Sequence, residues 1–386
     1  MSVDVAIVGG GLVGAALACA LRGLSVALLS PGRAQGARPK GEFDPRVYAI
    51  TPGNAAFLSA LGVWQQLPAE RVTPVHAMRV HGDDRTSLLE FDAYEAGVGE
   101  LAWIVEDRLL QEALRRGLHR HADCELREGE AGGRLDVGAE AATLELRDGS
   151  ALRAKLVVGA DGAHSAVRSL AGIAAEEGSY QQSAVVANLS CARPHGNVAW
   201  QWFQGGPVLA LLPLPANHVS MVWSTSESEA ARLAALEARA LCAEVAAATR
   251  DCVGELALVT PARRFPLRRV MAERLVAPRV ALAGDAAHVI HPLAGQGANL
   301  GFQDARELAA VLAAREPGRD PGDYRLLRRY ERSRAEAILA MRATVDGLFS
   351  LFDSDSGAVA RLRNAGLNLT NRVALVKNAL IRQAMR

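Results

Sequence analysis

Gly9-x-Gly11-x-x-Gly14 follows an apolar run, Val3 to Val8, and opens a helical stretch from about Leu12 to Leu21. A second apolar run, Ser25 to Leu29, comes directly after it. Strand, tight turn, helix and strand in so short a space form the start of a βαβ unit, which belongs to a parallel sheet covered on both faces. Each glycine has its own task. The first permits the turn, the second lets backbone approach a pyrophosphate, and the third lets helix and sheet pack closely. The pyrophosphate would rest on the free N–H groups near Leu12 and Val13. The plainer alternative, a sharp turn in a non-binding α/β fold, is disfavoured by the flanking pattern. Where such sites end their second strand in an acid for a ribose hydroxyl, this chain has Ser30, a neutral and weaker acceptor.

The chain has 386 residues, half of them apolar, enough for one large core or two packed together. A net charge of +1 gives no field that would select nucleic acid. The basic residues are nearly all Arg, with Lys only at positions 40, 155 and 377, so single arginines carry weight only where a motif singles them out. Five cysteines (Cys19, Cys124, Cys191, Cys242, Cys252) include no C-x-x-C pair. This points to reduced thiols in a cytoplasmic protein and away from a disulfide framework or zinc site. The first apolar run lacks a basic n-region and reads as a buried strand, not a signal peptide. No stretch approaches the roughly 20 apolar residues that span a bilayer. A cytoplasmic protein, free or peripheral on the inner face of the cytoplasmic membrane, is expected.

Along the chain, Ser30 to Pro45 is polar and rich in Gly and Pro, and reads as a long functional loop. Glu106 to His119 has helical spacing, and Leu152 to Gly159 reads as another buried strand, ending in Ala160-Asp161-Gly162. From about Glu176 to Arg269 the character becomes β-rich: Ala184–Ser190, Val198–Phe203, Val208–Leu214 and Val219–Thr225, then an Ala-rich helix from Glu227 to Thr249. The first fold resumes at Val280-Ala281-Leu282-Ala283-Gly284-Asp285, with a helix from near Gln296 and two more over about Tyr324–Phe352 and Val359–Met385. The expected organisation is a discontinuous nucleotide-binding domain (1–175 with 270–320), one or more substrate-domain strands near 75–103, a β-rich insert (176–269) and C-terminal helices (321–386).

Two later motifs carry a family resemblance. Val157-Val158-Gly159-Ala160-Asp161-Gly162 with Ala163-His164-Ser165-Ala166-Val167-Arg168 resembles the Asp-Gly motif of single-component (class A) FAD-dependent aromatic monooxygenases. Leu282-Ala283-Gly284-Asp285-Ala286-Ala287-His288 resembles their Gly-Asp motif. The run His291-Pro292-Leu293-Ala294-Gly295-Gln296-Gly297-Ala298-Asn299-Leu300-Gly301-Phe302-Gln303-Asp304 is similar to the signature of the ubiquinone-biosynthesis hydroxylase subfamily. Asp44-Pro45-Arg46 and Glu106-Asp107-Arg108 stand where that subfamily has flavin-contacting residues, and the resemblance covers essentially the whole chain.

The resemblance implies an α/β fold: a Rossmann-like FAD-binding domain of the para-hydroxybenzoate-hydroxylase type, with an inserted β-rich substrate domain and C-terminal helices. It implies FAD held by Gly9, Gly11, Leu12, Val13, Gly14, Ser30, Arg46, Arg108, Asp161, Gly284, Asp285, Pro292, Gly295, Gln296, Gly297, Ala298 and Asn299. Asp285 would hold the ribityl hydroxyls, and Asp161 and Arg168 would help to receive NADPH or NADH. The implied reaction reduces FAD, forms a flavin hydroperoxide with O2 and hydroxylates the ring of a polyprenylated phenol. A helix opened by the Gly295-Gln296-Gly297 turn would place its positive end where charge develops on a reduced ring. Asp285 and Asp161 each have a bland reading as helix-capping or turn residues.

No catalytic residue is assigned. Trp202, Leu211 and Pro213 are candidate substrate contacts, with membership of the insert's core as an equal alternative. His288 and His291 do not make a metal site, since Pro and Gly interrupt the helix and no carboxylate or Cys completes a set. A related hydroxylase of a small soluble aromatic and a non-catalytic flavin-binding accessory protein of the ubiquinone pathway are the competing readings. Trp200-Gln201-Trp202 hints at a flavin halogenase, but no Ile-Pro follows. From Gly357 to Arg386 there is no acid, while Arg361, Arg363, Arg372, Lys377, Arg382 and Arg386 are spread among apolar residues. This is either a basic amphipathic helix on an anionic membrane or a helix packed on the flavin domain. Other ubiquinone-biosynthesis proteins are candidate partners.

Overall fold

Strand Ser2–Val8 runs through an eight-stranded sheet, paired in parallel with Val26–Ser30 on one side and Ala151–Gly159 on the other. The computed structural model describes residues 2–30, 42–84, 86–128, 132–291, 297–352 and residue 371. Val280–Leu282 pairs in parallel beyond Ala151–Gly159, and Cys124–Glu128 beyond Val26–Ser30. This five-strand parallel core explains the uninterrupted apolar runs. Val5, Ala6, Ile7, Ala27, Leu28 and Leu29 are all fully buried, as strands covered on both faces must be. Burying each Leu or Ile side chain contributes about 1.5–3 kcal/mol. Helix Leu12–Ala20 lies on this sheet and packs against Asp107–His119 and Gly297–Ala313. Its small residues, Gly14, Ala15, Ala16 and Ala18, allow the close approach.

A nine-stranded sheet forms the second layer. It is built around the long strand Ala175–Cys191, with His218–Ser226 on one side and Arg263–Ala272 on the other. Val208–Leu214 and Val198–Phe203 follow in antiparallel order. Ala77–His81 then pairs in parallel with Val198–Phe203, and Leu88–Asp92 closes that edge. His288–Val289 closes the other. A three-stranded sheet (Val47–Ile50, Ala102–Glu106, Thr73–Val75) stands between the two layers, joined to the large sheet by Phe43, Val75, Ile104, Ala199 and Leu214.

The helix expected over Glu227–Thr249 is two helices, Glu227–Ala234 and Ala238–Ala248. The break at Ala235–Glu237 lets Ala230 and Leu233 from the first, and Leu241, Cys242 and Val245 from the second, reach one apolar cluster on the sheet. Arg232 bridges the break to Glu244 at 2.9 Å, but that pair is exposed and screened by solvent, so the apolar cluster and not the ion pair seats the helices. Helix Tyr324–Phe352 has the expected bounds. The helix expected over Val359–Met385 lies outside the described residues, Asn371 apart, as do 31–41 of the Ser30–Pro45 loop.

Arg279 ties three segments together from behind the parallel sheet. Its guanidinium donates to the Gly138 and Ala139 carbonyls at 3.1 Å and to Lys155 O at 3.0 Å, and pairs with Asp320 at 2.7 Å. It is 8% exposed and has φ +60°. Arg279→Ala leaves buried carbonyls unpaired and is expected to cost about 3 kcal/mol in chemical denaturation. Arg279→Gly loses the same bonds but tolerates the left-handed backbone, so it is expected to be about 1 kcal/mol less damaging than the Ala variant.

Candidate active site

At Gly9, Gly10 and Gly14 the turn is packed so closely that no side chain is admitted. A β-carbon on Gly9, which has φ +115°, would lie 2.1 Å from the Ala160 carbonyl oxygen. One on Gly14 would lie 1.9 Å from Gly9 O, and one on Gly10 would lie 2.7 Å from the Ser30 side chain. Gly11, by contrast, has nothing within 4 Å of a β-carbon position. It begins helix Leu12–Ala20 without a side-chain cap, and the first turn carries no acid. The N–H groups of Leu12 and Val13 therefore front an open space at a positive helix end, the requirement for a phosphate.

Beside this turn the strand Val280–Leu282 leads through Ala283 into Gly284, at φ +63°. Val13 packs against it, and a β-carbon on the facing Gly301 would lie 2.5 Å from Val13 and 3.3 Å from the Gly284 Cα. Asp285 follows at the C-terminal edge of the parallel sheet, where ligands of open α/β sheets collect. Its side chain is reached by solvent yet walled by protein, as at the floor of a crevice. That loss of surrounding water pushes its carboxyl above the ordinary range, while the charges of His288 and Arg46 oppose the shift.

Arg46, also exposed to the crevice, feels Tyr48, Asp107, Asp285 and Asp44, and its guanidinium lies 5.5 Å from the Phe265 ring centroid. Asp44 organises this wall. It accepts from the Arg46 N–H at 2.9 Å and pairs with Arg108 at 3.2 Å. Its own N–H donates to buried Glu106 at 2.6 Å, and its carbonyl accepts from Asn188 Nδ2 of the large sheet at 2.8 Å. Glu106 is in turn held by Arg71. Burial raises both Glu106 and Asp107 above the usual carboxylate range despite these partners.

The structure thus brings the Gly9–Gly14 turn, Ser30 and Gly284 together, Val13 lying between the turn and Gly284, with Asp285 exposed beside them, Arg46 near enough to act on its charge and Arg108 held by Asp44. Gly297 starts helix Gly297–Ala313 with open space at its β-carbon position, and Ala298 packs against the core. Pro292, Gly295 and Gln296 lie outside the described residues. Asn299 turns inward. Its Oδ1 accepts from Thr51 N and Asn54 Nδ2, and its Nδ2 donates to Ala49 O at 2.7 Å, so its side chain is spent on seating strand Val47–Ile50 and helix Pro52–Ala60.

Asp161 is engaged as a turn residue: its carboxylate accepts from Ser165 Oγ and from Val167 N, closing the turn into helix Ala166–Leu170. Arg168, expected to face a nicotinamide nucleotide, is 4% exposed. It donates to Ala286 O and Ala163 O and pairs with Glu177, making it a strut between the Asp-Gly and Gly-Asp turns. His288 donates to Asp304 and His291 stands 3.2 Å from Gln182. Burial pushes the His291 imidazole down to about 4, so it is neutral at pH 7. Among the described residues, no three His, Cys, Asp or Glu side chains are grouped to hold a metal ion.

Trp202 and Leu211 lie in the apolar cluster beneath the two insert helices, with Trp200, Leu209 and Trp223. Pro213, two residues on from Leu211 in the same strand, shares that helix-covered side. The core alternative is therefore the observed one for Trp202 and Leu211. The other face of the sheet turns toward the crevice: Asn188 meets Asp44, Phe265 meets Arg46, and Gln182 meets His291. On that face Val222 registers with Val186 and Ala210, and Ser220 with Asn188 and Leu212. Ala210, Leu212 and Val222 are half-buried, an accessible apolar strip. Sequence reasoning missed it, because both faces of these strands are apolar and period-2 alternation does not say which one the helices cover.

The fold and opening define a dinucleotide-cofactor protein whose glycine cradle fits FAD. The chain matches the family described as "FAD binding domain" over residues 2–344. It is 35% identical to 3-demethoxyubiquinol 3-hydroxylase of Escherichia coli (strain K12), over 99% of this chain and 98% of that protein. It is 37% identical to ubiquinone hydroxylase UbiL of Rhodospirillum rubrum, over 99% and 89%. Among solved structures, p-nitrophenol 4-monooxygenase PnpA of Pseudomonas putida DLL-E4 superposes with a TM-score of 0.79 at 19% identity, covering 100% of this chain and 98% of that one, a likeness of fold. The chain belongs to the FAD-binding-domain family, in the branch of the ubiquinone hydroxylases.

Two substitutions separate cradle from core. Gly9→Ala is expected to abolish FAD retention, read as loss of the flavin absorption bands from the purified protein. Trp202→Ala is expected to cost about 3–5 kcal/mol of stability while leaving FAD content unchanged.

Proposed function

We propose that this protein hydroxylates the aromatic ring of a polyprenylated phenol in ubiquinone biosynthesis, as an FAD-dependent monooxygenase using NADPH or NADH and O2. The observation that carries the reading is exposed Asp285 at the C-terminal edge of the parallel sheet, with the uncapped start of helix Leu12–Ala20 and the half-buried apolar strip of the large sheet beside the same loops. Bound FAD supplies the redox and oxygen-transferring chemistry. The Leu12 and Val13 N–H groups hold its pyrophosphate, Asp285 accepts from its ribityl hydroxyls, and Arg46 and Arg108 supply positive charge on the wall. One oxygen atom of O2 becomes the new ring hydroxyl and the other leaves as water, with two electrons from the nicotinamide nucleotide. Ala210, Leu212 and Val222 suit an apolar aromatic substrate and exclude water from it.

The assignment of 176–269 as the substrate domain, NADPH or NADH as reductant, a cytoplasmic location, contact of the basic 357–386 segment with an anionic membrane, and association with other ubiquinone-biosynthesis proteins all belong to this reading. Among the described residues, no helix is long and apolar enough to cross a membrane.

The test is anaerobic addition of NADPH or NADH to the flavoprotein, with and without a prenylated phenol, followed by air. Faster flavin bleaching with the phenol, and a hydroxylated product on reoxidation, are expected. Bound flavin with no phenol-dependent reduction points instead to an accessory protein. Equal turnover of small soluble phenols points to the related soluble-substrate hydroxylase.

FAD affinity is also expected to depend on pH through Asp285. The carboxylate is the form that accepts from the ribityl hydroxyls, so affinity is full above the free protein's Asp285 pKa and falls as pH drops through it. Because that pKa is raised, the fall begins above the ordinary Asp value of about 3.9. Fluorescence titration should show this limb in the wild type and a flat, weaker profile in Asp285→Asn.

A further inference from the structure

Behind the Gly284–Asp285 turn lies a charged network that does not front the crevice. Asp304, on helix Gly297–Ala313, is 0% exposed. Its Oδ2 accepts from the Gly284 N–H at 2.8 Å and from His288 Nε2 at 2.6 Å, and its Oδ1 accepts from Arg334 Nε at 2.7 Å. Burial alone would raise this carboxyl; the charges of His288 and Arg334 and the Gly284 N–H outweigh it and hold it low, as a carboxylate. Arg334 is itself 3% exposed and also donates to Leu300 O at 3.3 Å.

The cation comes from the long C-terminal helix Tyr324–Phe352. One helical turn earlier on the same face, fully buried Tyr330 donates its hydroxyl to Leu282 O at 2.8 Å, on the strand that leads into the turn. The C-terminal helix thus grips the turn twice, at Leu282 directly and at Gly284 through Asp304. Neither grip is needed to bury apolar area, which Leu326, Leu327 and Ile338 of the same helix already do. A buried ion pair contributes little net stability over an apolar replacement, but it fixes geometry. What is fixed here is the backbone that aims Asp285.

We infer that Tyr330 and Arg334, the latter through Asp304, are positioning residues for the cofactor: they set the Gly284–Asp285 turn and thereby the affinity for FAD without touching it. The inference rests on FAD binding at Asp285 and adds the C-terminal helix to the machinery that holds the cofactor.

The experiment measures the FAD dissociation constant by flavin fluorescence quenching, beside the melting temperature of each apoprotein. Tyr330→Phe removes one oxygen and keeps the ring, so it is expected to fold. Tyr330→Phe and Arg334→Met are each expected to weaken FAD binding by about tenfold or more, the size of one lost hydrogen bond within a charged network. Arg334→Lys should restore part of the loss. Asp304→Asn combined with Arg334→Met should bind no more weakly than Asp304→Asn alone, since both act through one carboxylate. Ile338→Ala, a core change on the same helix, should lower the apoprotein melting temperature without a comparable loss of affinity. Wild-type affinity in Tyr330→Phe and Arg334→Met, additive losses in the double variant, or an equal loss in Ile338→Ala would each overturn the inference. A wild-type protein that takes up no FAD would instead sink the functional reading on which it stands.

Discussion

Backbone meets backbone at Gly9. A β-carbon on Gly9 would strike the Ala160 carbonyl and one on Gly14 would strike the Gly9 carbonyl, so the sheet, the first helix and the Asp-Gly turn converge there. The contact is also what leaves Gly11 facing open space. With no side chain in the way, the helix start presents N–H groups and partial positive charge to a ligand. The same economy recurs at Gly284 and Gly301, where Val13 fills the gap between two backbones. A cofactor groove lined by main chain is rigid because its walls are the core of the sheet itself.

Around that groove, charge is handled in two ways. On the open wall Asp285 and Arg46 are exposed to solvent and to a ligand; Asp107 and Arg108 beside them are half-buried, and Asp44, which pairs with Arg108, is buried. Behind the turn, Asp304 and Arg334 are shut away from water and paired to each other. In a low-dielectric interior an unpaired charge is costly, so the second set tolerates only the geometry in which every group is satisfied. The first set keeps freedom to exchange partners when a charged or hydroxylated ligand arrives. Placing the rigid set one layer behind the adaptable one holds Asp285 in place while leaving its carboxyl available.

The large sheet serves both its own core and the crevice. Trp200, Trp202, Leu209 and Leu211 meet the insert helices on one face. Asn188, Phe265 and Gln182 reach the flavin-side loops from the other. A register shift between Ser179 and Ser183, with Gln181 at φ +55°, bends the long strand where Tyr180 packs edge-on against His291 at 4.7 Å. An irregularity next to a site re-aims side chains that a regular strand would send to the wrong face.

The glycine spacing, the apolar strands of the parallel core, the Gly-Asp turn and the interruption by a β-rich segment were all legible in the sequence, because each is a local pattern with a local cause. A glycine contact needs glycine, and a doubly covered strand needs an unbroken apolar run. The roles of Asn299, Arg168 and Trp202 were not legible in that way. Asn299 sits in a cofactor signature yet spends its amide on strand Val47–Ile50, some 250 residues earlier in the chain. Arg168 is an internal strut. Trp202 and Leu211 read equally well as roof or as core, since period-2 alternation defines two faces without saying which one is covered. The pairing of Asp304 with Arg334 was likewise invisible, for a carboxylate's partner is set by which helices pack together. By itself the sequence determined the cofactor cradle and the class of fold. Only the tertiary structure decided which polar groups face the cofactor and which are buried to hold the others still, because that choice depends on the packing of elements far apart in the chain.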